Sequence, residues 1–169
     1  MLVRPAEPSD AAAMLAIYRP IVEHTVVSFE LVAPSLDEFA ARVRKYLDGW
    51  ACLVAEHDGD LVGYAYGASC RERAAYGWST ETSAYVHPDA RRMGVGTRLY
   101  QHLIAALAER GYCNAYAGIM LPNEASVALH RSVGFRDIGR FPTIGWKCGA
   151  WHDVGWFHRN LRAGPTPGT

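Results

Sequence analysis

Two arginines, Arg91 and Arg92, stand directly before Met93-Gly94-Val95-Gly96-Thr97, and this junction has the makings of an anion site. Guanidinium forks give charge-assisted hydrogen bonds to phosphate oxygens. A Gly-x-Gly turn that opens a helix adds first-turn N–H groups with no intrahelical partner, and a residue without Cβ lets backbone approach an anion closely. Leu99, Leu103, Ile104, Leu107 and Ala108 recur on one face, which predicts the amphipathic helix, and Gly111 predicts its stop. Upstream, Thr82 to Val86 alternates as a strand does and ends at His87-Pro88-Asp89. Two familiar phosphate motifs are excluded. The third glycine of a dinucleotide fingerprint is replaced by Leu99, and no Gly-Lys-Ser/Thr follows for a Walker A loop.

A second ordered set follows at Asn123-Glu124-Ala125-Ser126-Val127-Ala128-Leu129-His130-Arg131-Ser132-Val133-Gly134-Phe135. Taken singly, Asn123 is an ordinary N-cap, Val127 and Leu129 are core, and Gly134 is an ordinary helix stop. Taken in order, the R-x-x-G-x-G turn and the N-x-x-S-x-x-L-H-x-x-x-G-F helix resemble the two cofactor motifs of the GNAT acetyltransferase superfamily. The resemblance runs from about Val3 to Leu161. It implies an α+β (mixed α/β) GNAT fold, a central mixed and mostly antiparallel sheet flanked by helices, with acetyl-CoA as cosubstrate and a homodimer as the frequent assembly. It also implies a cofactor site made of Ala84, Tyr85 and Val86 along the pantetheine arm, Arg91, Arg92, Met93, Gly94, Val95, Gly96 and Thr97 at the pyrophosphate, and Asn123 and Ser126 on the following helix. Backbone N–H groups near Tyr85 and Val86 would hold the acetyl carbonyl.

Acetyl transfer to an amine needs a proton acceptor, a stabilised oxyanion and a thiolate that can leave. Trp78-Ser79-Thr80-Glu81-Thr82-Ser83-Ala84-Tyr85-Val86 and the run Gly145 to Trp156 are similar to the phosphinothricin and methionine sulfone acetyltransferase branch. That likeness assigns Glu81 as general base, and Phe29, Arg71, Arg73, Glu81 and Thr82 as acceptor-binding residues, with Arg73 favoured over Arg71 for the acidic group. His130 stands where many superfamily members carry a tyrosine that protonates the thiolate. It is a second catalytic candidate, with packing inside a helix as the competing role. The implied acceptor is a small amino-acid-like compound: L-phosphinothricin, L-methionine sulfone or L-methionine sulfoximine. A protein N-terminus or polyamine as acceptor, or a non-catalytic acyl-CoA sensor, stays open as an alternative.

The elements that must position these groups follow from patterning. A strand near Leu2 to Arg4 leads to a helix from Ser9 or Asp10, and the capping box Ser35-x-x-Glu38 opens a helix with Phe39, Val43 and Leu47 inward. Ala51 to Glu56 and Leu61 to Ser69 form a hairpin about His57-Asp58-Gly59-Asp60. After the glycine-turn helix come a strand from Tyr112 to Ile119, the Asn123 helix, and strands from Asp137 to Lys147 and Trp151 to Leu161.

The chain of 169 residues fits one domain, here 1–162, with the Pro/Gly/Thr composition of 163–169 predicting a disordered tail. Seventeen basic against seventeen acidic residues leave no net field to recruit nucleic acid or an anionic membrane. Cys52, Cys70, Cys113 and Cys148 form no C-x-x-C pair, and His152 and His158 lack a third ligand at metal spacing, so neither zinc nor any other metal is expected. With neither a signal-like start nor an 18-residue apolar run, the expected setting is cytoplasmic.

Overall fold

A computed structural model describes residues 1–164; the predicted tail beyond Gly164 lies outside the described residues. Seven strands form one sheet: β1 (Leu2–Pro5), β2 (Cys52–His57), β3 (Asp60–Ser69), β4 (Ser79–Val86), β5 (Asn114–Leu121), β6 (Arg136–Lys147) and β7 (Ala150–Asn160). Their order is β1-β2-β3-β4-β5-β7-β6, and every pairing is antiparallel except β4 with β5. Four α-helices complete the fold: α1 (Ala11–His24), α2 (Leu36–Gly49), α3 (Val95–Glu109) and α4 (Glu124–Ser132). This is the mixed, mostly antiparallel α+β arrangement that the sequence implies.

The parallel pair exists because α3 carries the chain back across the sheet, the crossover that parallel strands require. Leu99, Leu103 and Leu107 on its inner face are fully buried against Ala115, Ala117 and Phe157. Each contributes about 2 kcal/mol by leaving water. The opposite face of the sheet is covered by α1 and α2, through Met14, Tyr18, Val22, Phe39 and Val43 packed on Val54 and Tyr64. Ser35 caps α2 as its sequence predicts: its Oγ accepts from the Glu38 N–H, and the Glu38 carboxylate accepts from the Ser35 N–H at 2.8 Å.

Two strand starts differ from the sequence reading by two residues or more. β4 starts at Ser79 rather than Thr82, because Ser79, Thr80 and Glu81 pair with Asn114, Ala115 and Tyr116 of β5. The buried Thr80 hydroxyl finds an acceptor in the Ala68 carbonyl, so a polar stretch can enter the sheet. β5 begins at Asn114 rather than Tyr112, since the Tyr112 N–H still donates to Leu107 O at the end of α3.

Candidate active site

β4 and β5 stay paired for three residues only, from Ser79 with Asn114 to Glu81 with Tyr116, and then part. The Thr82 hydroxyl donates to Tyr116 O at 3.1 Å, which ties the two strands at the fork. Along the other edge, β4 stays paired with β3 as far as Val86. The His87 N–H donates to Val62 O at 2.8 Å, so hydrogen-bonded pairs with β3 recur, by alternation, at Tyr85, Ser83 and Glu81. The peptide groups of Thr82, Ala84 and Val86 therefore point toward β5. Past the fork, those of Ala84 and Val86 meet no strand.

This register corrects the assignment of Tyr85 as a main-chain ligand, since its peptide is engaged by β3. Its ring instead lines the cavity that holds Glu81. Side chains alternate across the sheet, so Glu81, Ser83 and Tyr85 share one face while Thr82 lies on the other, 3% exposed and committed to Tyr116. Thr82 is thus corrected from an acceptor-binding side chain to a structural tie.

Glu81, Ser83 and Tyr85 line a cavity of about 340 Å³, closed by Phe29, Phe141 and Trp156. Burial raises the Glu81 carboxyl above its ordinary value of 4.5, and the Arg71 guanidinium draws it partly back. A second cavity of about 310 Å³, with Arg71, Tyr76 and Tyr116 in its wall, shares Phe141 and Trp156 with the first. Both arginines are exposed, but Arg73 precedes the short turn Ala74–Tyr76 and lines neither cavity. The geometry shifts the preference between the two arginines from Arg73 to Arg71. A larger groove of about 610 Å³ runs along α4 past Arg131 and Arg140 and includes neither Glu81 nor Arg71.

Phe29 sits on the loop between α1 and α2, which is held by the Arg42–Glu30 ion pair and by three further anchors. The Tyr18 hydroxyl donates to Glu30 Oε1 at 2.9 Å and lies 2.8 Å from Ser28 Oγ. The buried Lys147 Nζ donates to Val22 O and Ser28 O, each at 2.7 Å. Phe29 packs over Gly145, where a Cβ would overlap its ring. Lys147 escaped the sequence reading; its signal was a lone lysine beside the aromatic pair Trp146 and Trp151.

At the other end of β4 the anion loop takes shape. Gly94 is the N-cap of α3, in the left-handed region at φ 77°, and no side chain caps the helix, so the first-turn N–H groups of Val95, Gly96 and Thr97 are free for a ligand. Arg91, Arg92 and Met93 are exposed, and neither arginine forms an ion pair among the described residues. The two glycines serve different ends. A Cβ on Gly94 would meet no protein atom, and its left-handed backbone angle favours glycine; a Cβ on Gly96 would fall 2.8 Å from Leu129 Cδ2, so Gly96 also lets α3 and α4 pack closely. Val95 is buried in the core.

On α4, Asn123 Oδ1 accepts from the Ser126 N–H at 3.2 Å. His130 is 5% exposed, with Nδ1 2.7 Å from Ser126 O and Nε2 2.7 Å from the Tyr100 hydroxyl. A carbonyl only accepts, so Nδ1 carries the proton and Nε2 accepts from Tyr100. Burial lowers the ring's pKa below its ordinary 6.5, and the imidazole is neutral. Both nitrogens are taken inside the protein. His130 therefore supports Tyr100, and both rings line the split beside Thr82, Ala84 and Asn123.

No group of three or more metal-ligating side chains occurs among the described residues, nor a helix long and apolar enough to cross a membrane.

Comparison with known proteins matches residues 19–135 to the acetyltransferase (GNAT) family. The phosphinothricin N-acetyltransferase of Streptomyces viridochromogenes is 35% identical over 98% of this chain and 91% of its own length. The L-methionine sulfoximine/L-methionine sulfone acetyltransferase of Salmonella typhimurium is 33% identical over 91% of each. Among solved structures, a GNAT superfamily phosphinothricin acetyltransferase from Sinorhizobium meliloti in complex with AcCoA superposes with a TM-score of 0.94 at 33% identity, over 99% of this chain and 94% of that one. With a family match over most of its length and relatives of this identity along nearly all of it, the chain belongs to the GNAT family of acetyltransferases.

Proposed function

We propose that this protein transfers the acetyl group of acetyl-CoA to the α-amino group of a small amino acid with an oxygen-bearing side chain, of the phosphinothricin, methionine sulfone or methionine sulfoximine class. The observation that carries this reading is the layout of β4. Its start holds a half-buried carboxylate in a cavity with an arginine nearby, and its end feeds an uncapped helix N-terminus beside two unpaired arginines. The relatives named above act on compounds of this class.

Acetyl-CoA fits the groups on hand: phosphates at the N–H groups of Val95 to Thr97 with Arg91 and Arg92, and amides of the thiol arm against the unshared peptide groups of Ala84 and Val86. It supplies an activated acyl thioester. Glu81 accepts a proton from the incoming ammonium, directly or through one water, and its raised pKa brings it closer to the range where a general base is effective. A main-chain N–H of β4 at the split donates to the carbonyl oxygen as negative charge develops. Because a thiol of pKa about 8.5 leaves readily, the reaction does not require His130 as an acid.

A polyamine would need several carboxylates, and the two cavities offer Glu81 alone, with Arg71 beside it. A sensor without chemistry would have no use for a desolvated base. We further infer a homodimer through β6, the sheet's edge strand, whose Ile138, Phe141, Ile144 and Trp146 are all more than 40% exposed. We place the reaction in the cytoplasm, in accord with four free cysteines.

Release of CoA thiol tests the reading, with L-phosphinothricin, L-methionine sulfone, L-methionine sulfoximine, spermidine and a short peptide as acceptors. Turnover confined to the first three is expected. Turnover of spermidine or peptide alone, or of none, overturns the acceptor class.

A further inference from the structure

Trp156 lies on β7 between Gly118 of β5 and Gly139 of β6. Gly118 leaves the sheet bare where the indole lies: a Cβ there would already touch its Cη2 at 3.4 Å. The ring packs against Phe141 with centroids 5.6 Å apart, and these two side chains are the pair shared by the Glu81 cavity and the Arg71 cavity. Trp156 is therefore a partition that any ligand reaching from Glu81 to Arg71 must pass.

Its indole nitrogen is out of the ordinary. Nε1 is buried, and it has no hydrogen-bond partner among the described residues. Buried tryptophan N–H groups normally find an acceptor, since an unpaired one bears the full cost of losing water. An indole N–H is a donor only. The group that completes it must bring an oxygen.

We infer that the Trp156 N–H donates to the oxygen-bearing end of the acceptor's side chain, and so selects sulfone, sulfoximine or phosphinate groups over a plain thioether. The inference rests on the acceptor class proposed above and adds a residue to it. With the α-amine at Glu81, a side chain of methionine length runs along the indole toward Arg71. A sulfonyl or phosphinyl oxygen there can take both donors. A thioether sulfur, a weak acceptor, leaves the N–H unpaired.

Two measurements on the full chain test this. The first compares wild type with Trp156→Phe, which keeps an aromatic ring and deletes the N–H. We expect kcat/KM for L-methionine sulfone to fall about 10-fold, the scale of one lost hydrogen bond in a dry site, with the KM for acetyl-CoA unchanged. The second follows the indole ¹⁵N–¹H resonance of Trp156 in the wild-type protein, assigned from its contacts to the Phe141 ring, which keeps the test independent of how well the variant folds. L-Methionine sulfone should move that resonance downfield, and L-methionine should not. Sulfone turnover with a stationary resonance and an unimpaired Trp156→Phe enzyme overturns the inference while the acceptor class stands. Failure of the wild type to acetylate any oxygenated acceptor overturns both.

Discussion

The Tyr100 hydroxyl of α3 donates to His130 Nε2 of α4 across 2.7 Å, at the base of the split between β4 and β5. Two helices that flank the cofactor side of the site are thus fastened by one buried hydrogen bond, and its acceptor nitrogen exists only while the imidazole is neutral.

That bond makes stability depend on pH. Burial depresses the folded-state pKa of His130, so the unfolded chain binds a proton at this residue more readily than the native one. The stabilisation is whole above the ordinary value of 6.5 and is lost as pH falls through the depressed native value. Thermal melts at stepped pH should show wild type losing stability below 6.5, with a flatter profile for His130→Gln. At pH 8 the variant should be about 1 kcal/mol less stable, for the weakened link to Tyr100.

Glu81→Gln should lower kcat/KM by about 10² to 10⁴-fold, the range for loss of a general base, without weakening acetyl-CoA binding by calorimetry. In the wild type, activity rises with pH as the carboxylate ionises. Because burial lifts that ionisation, the acidic limb should lie above the ordinary glutamate value of 4.5 and vanish in the variant. An unchanged limb would assign it to another group.

Arg71→Ala should raise KM for an acidic acceptor about 10-fold with little change for acetyl-CoA. Arg73→Ala, exposed and outside both cavities, should change neither by more than about 2-fold, the ordinary scatter of surface substitutions. Steady-state kinetics on the two variants decides between the arginines, and the reverse pattern would restore Arg73.

Gly96→Ala brings a Cβ to 2.8 Å from Leu129 Cδ2, the end of a flexible side chain. The expected cost is about 1 kcal/mol in denaturant unfolding. A double-mutant cycle with Leu129→Ala should recover about 0.5 kcal/mol or more as coupling.

Trp146 and Trp151 form an edge-to-face pair, centroids 5.3 Å apart and both more than half exposed, on the outer hairpin of the sheet. If β6 joins two copies, replacing both with alanine should convert a sedimenting dimer to monomer. A dimer that survives unchanged moves the interface elsewhere.

The order of elements was legible in the sequence because helices α2 and α3 carry a full signature: a capping box for one, a glycine turn and a leucine stripe for the other. The uncapped N-terminus of α3 was legible for the same reason, since short-range spacing writes a helix N-terminus directly. What escaped depends on register. Which of Ala84, Tyr85 and Val86 turns its peptide to the split follows from the pairing of Val62 with His87, two residues far apart in the chain. The choice between Arg71 and Arg73 rests on a loop whose path no periodicity specifies. The isolation of Trp156 Nε1 is likewise a property of the packing around β7, which brings together residues far apart in the chain.

The early parting of β4 and β5 has an evolutionary consequence. On the proposed donor side, recognition combines Arg91 and Arg92 with peptide groups, and the peptide groups are ones that no side-chain substitution other than proline can delete. The acceptor side is assembled from side chains on a loop, a hairpin and a strand. The two ends of one strand are therefore exposed to mutation unequally: under the proposed reading, substitutions that change the amine leave the peptide groups facing acetyl-CoA in place, so one scaffold can take new acceptors without remaking that part of its cosubstrate site.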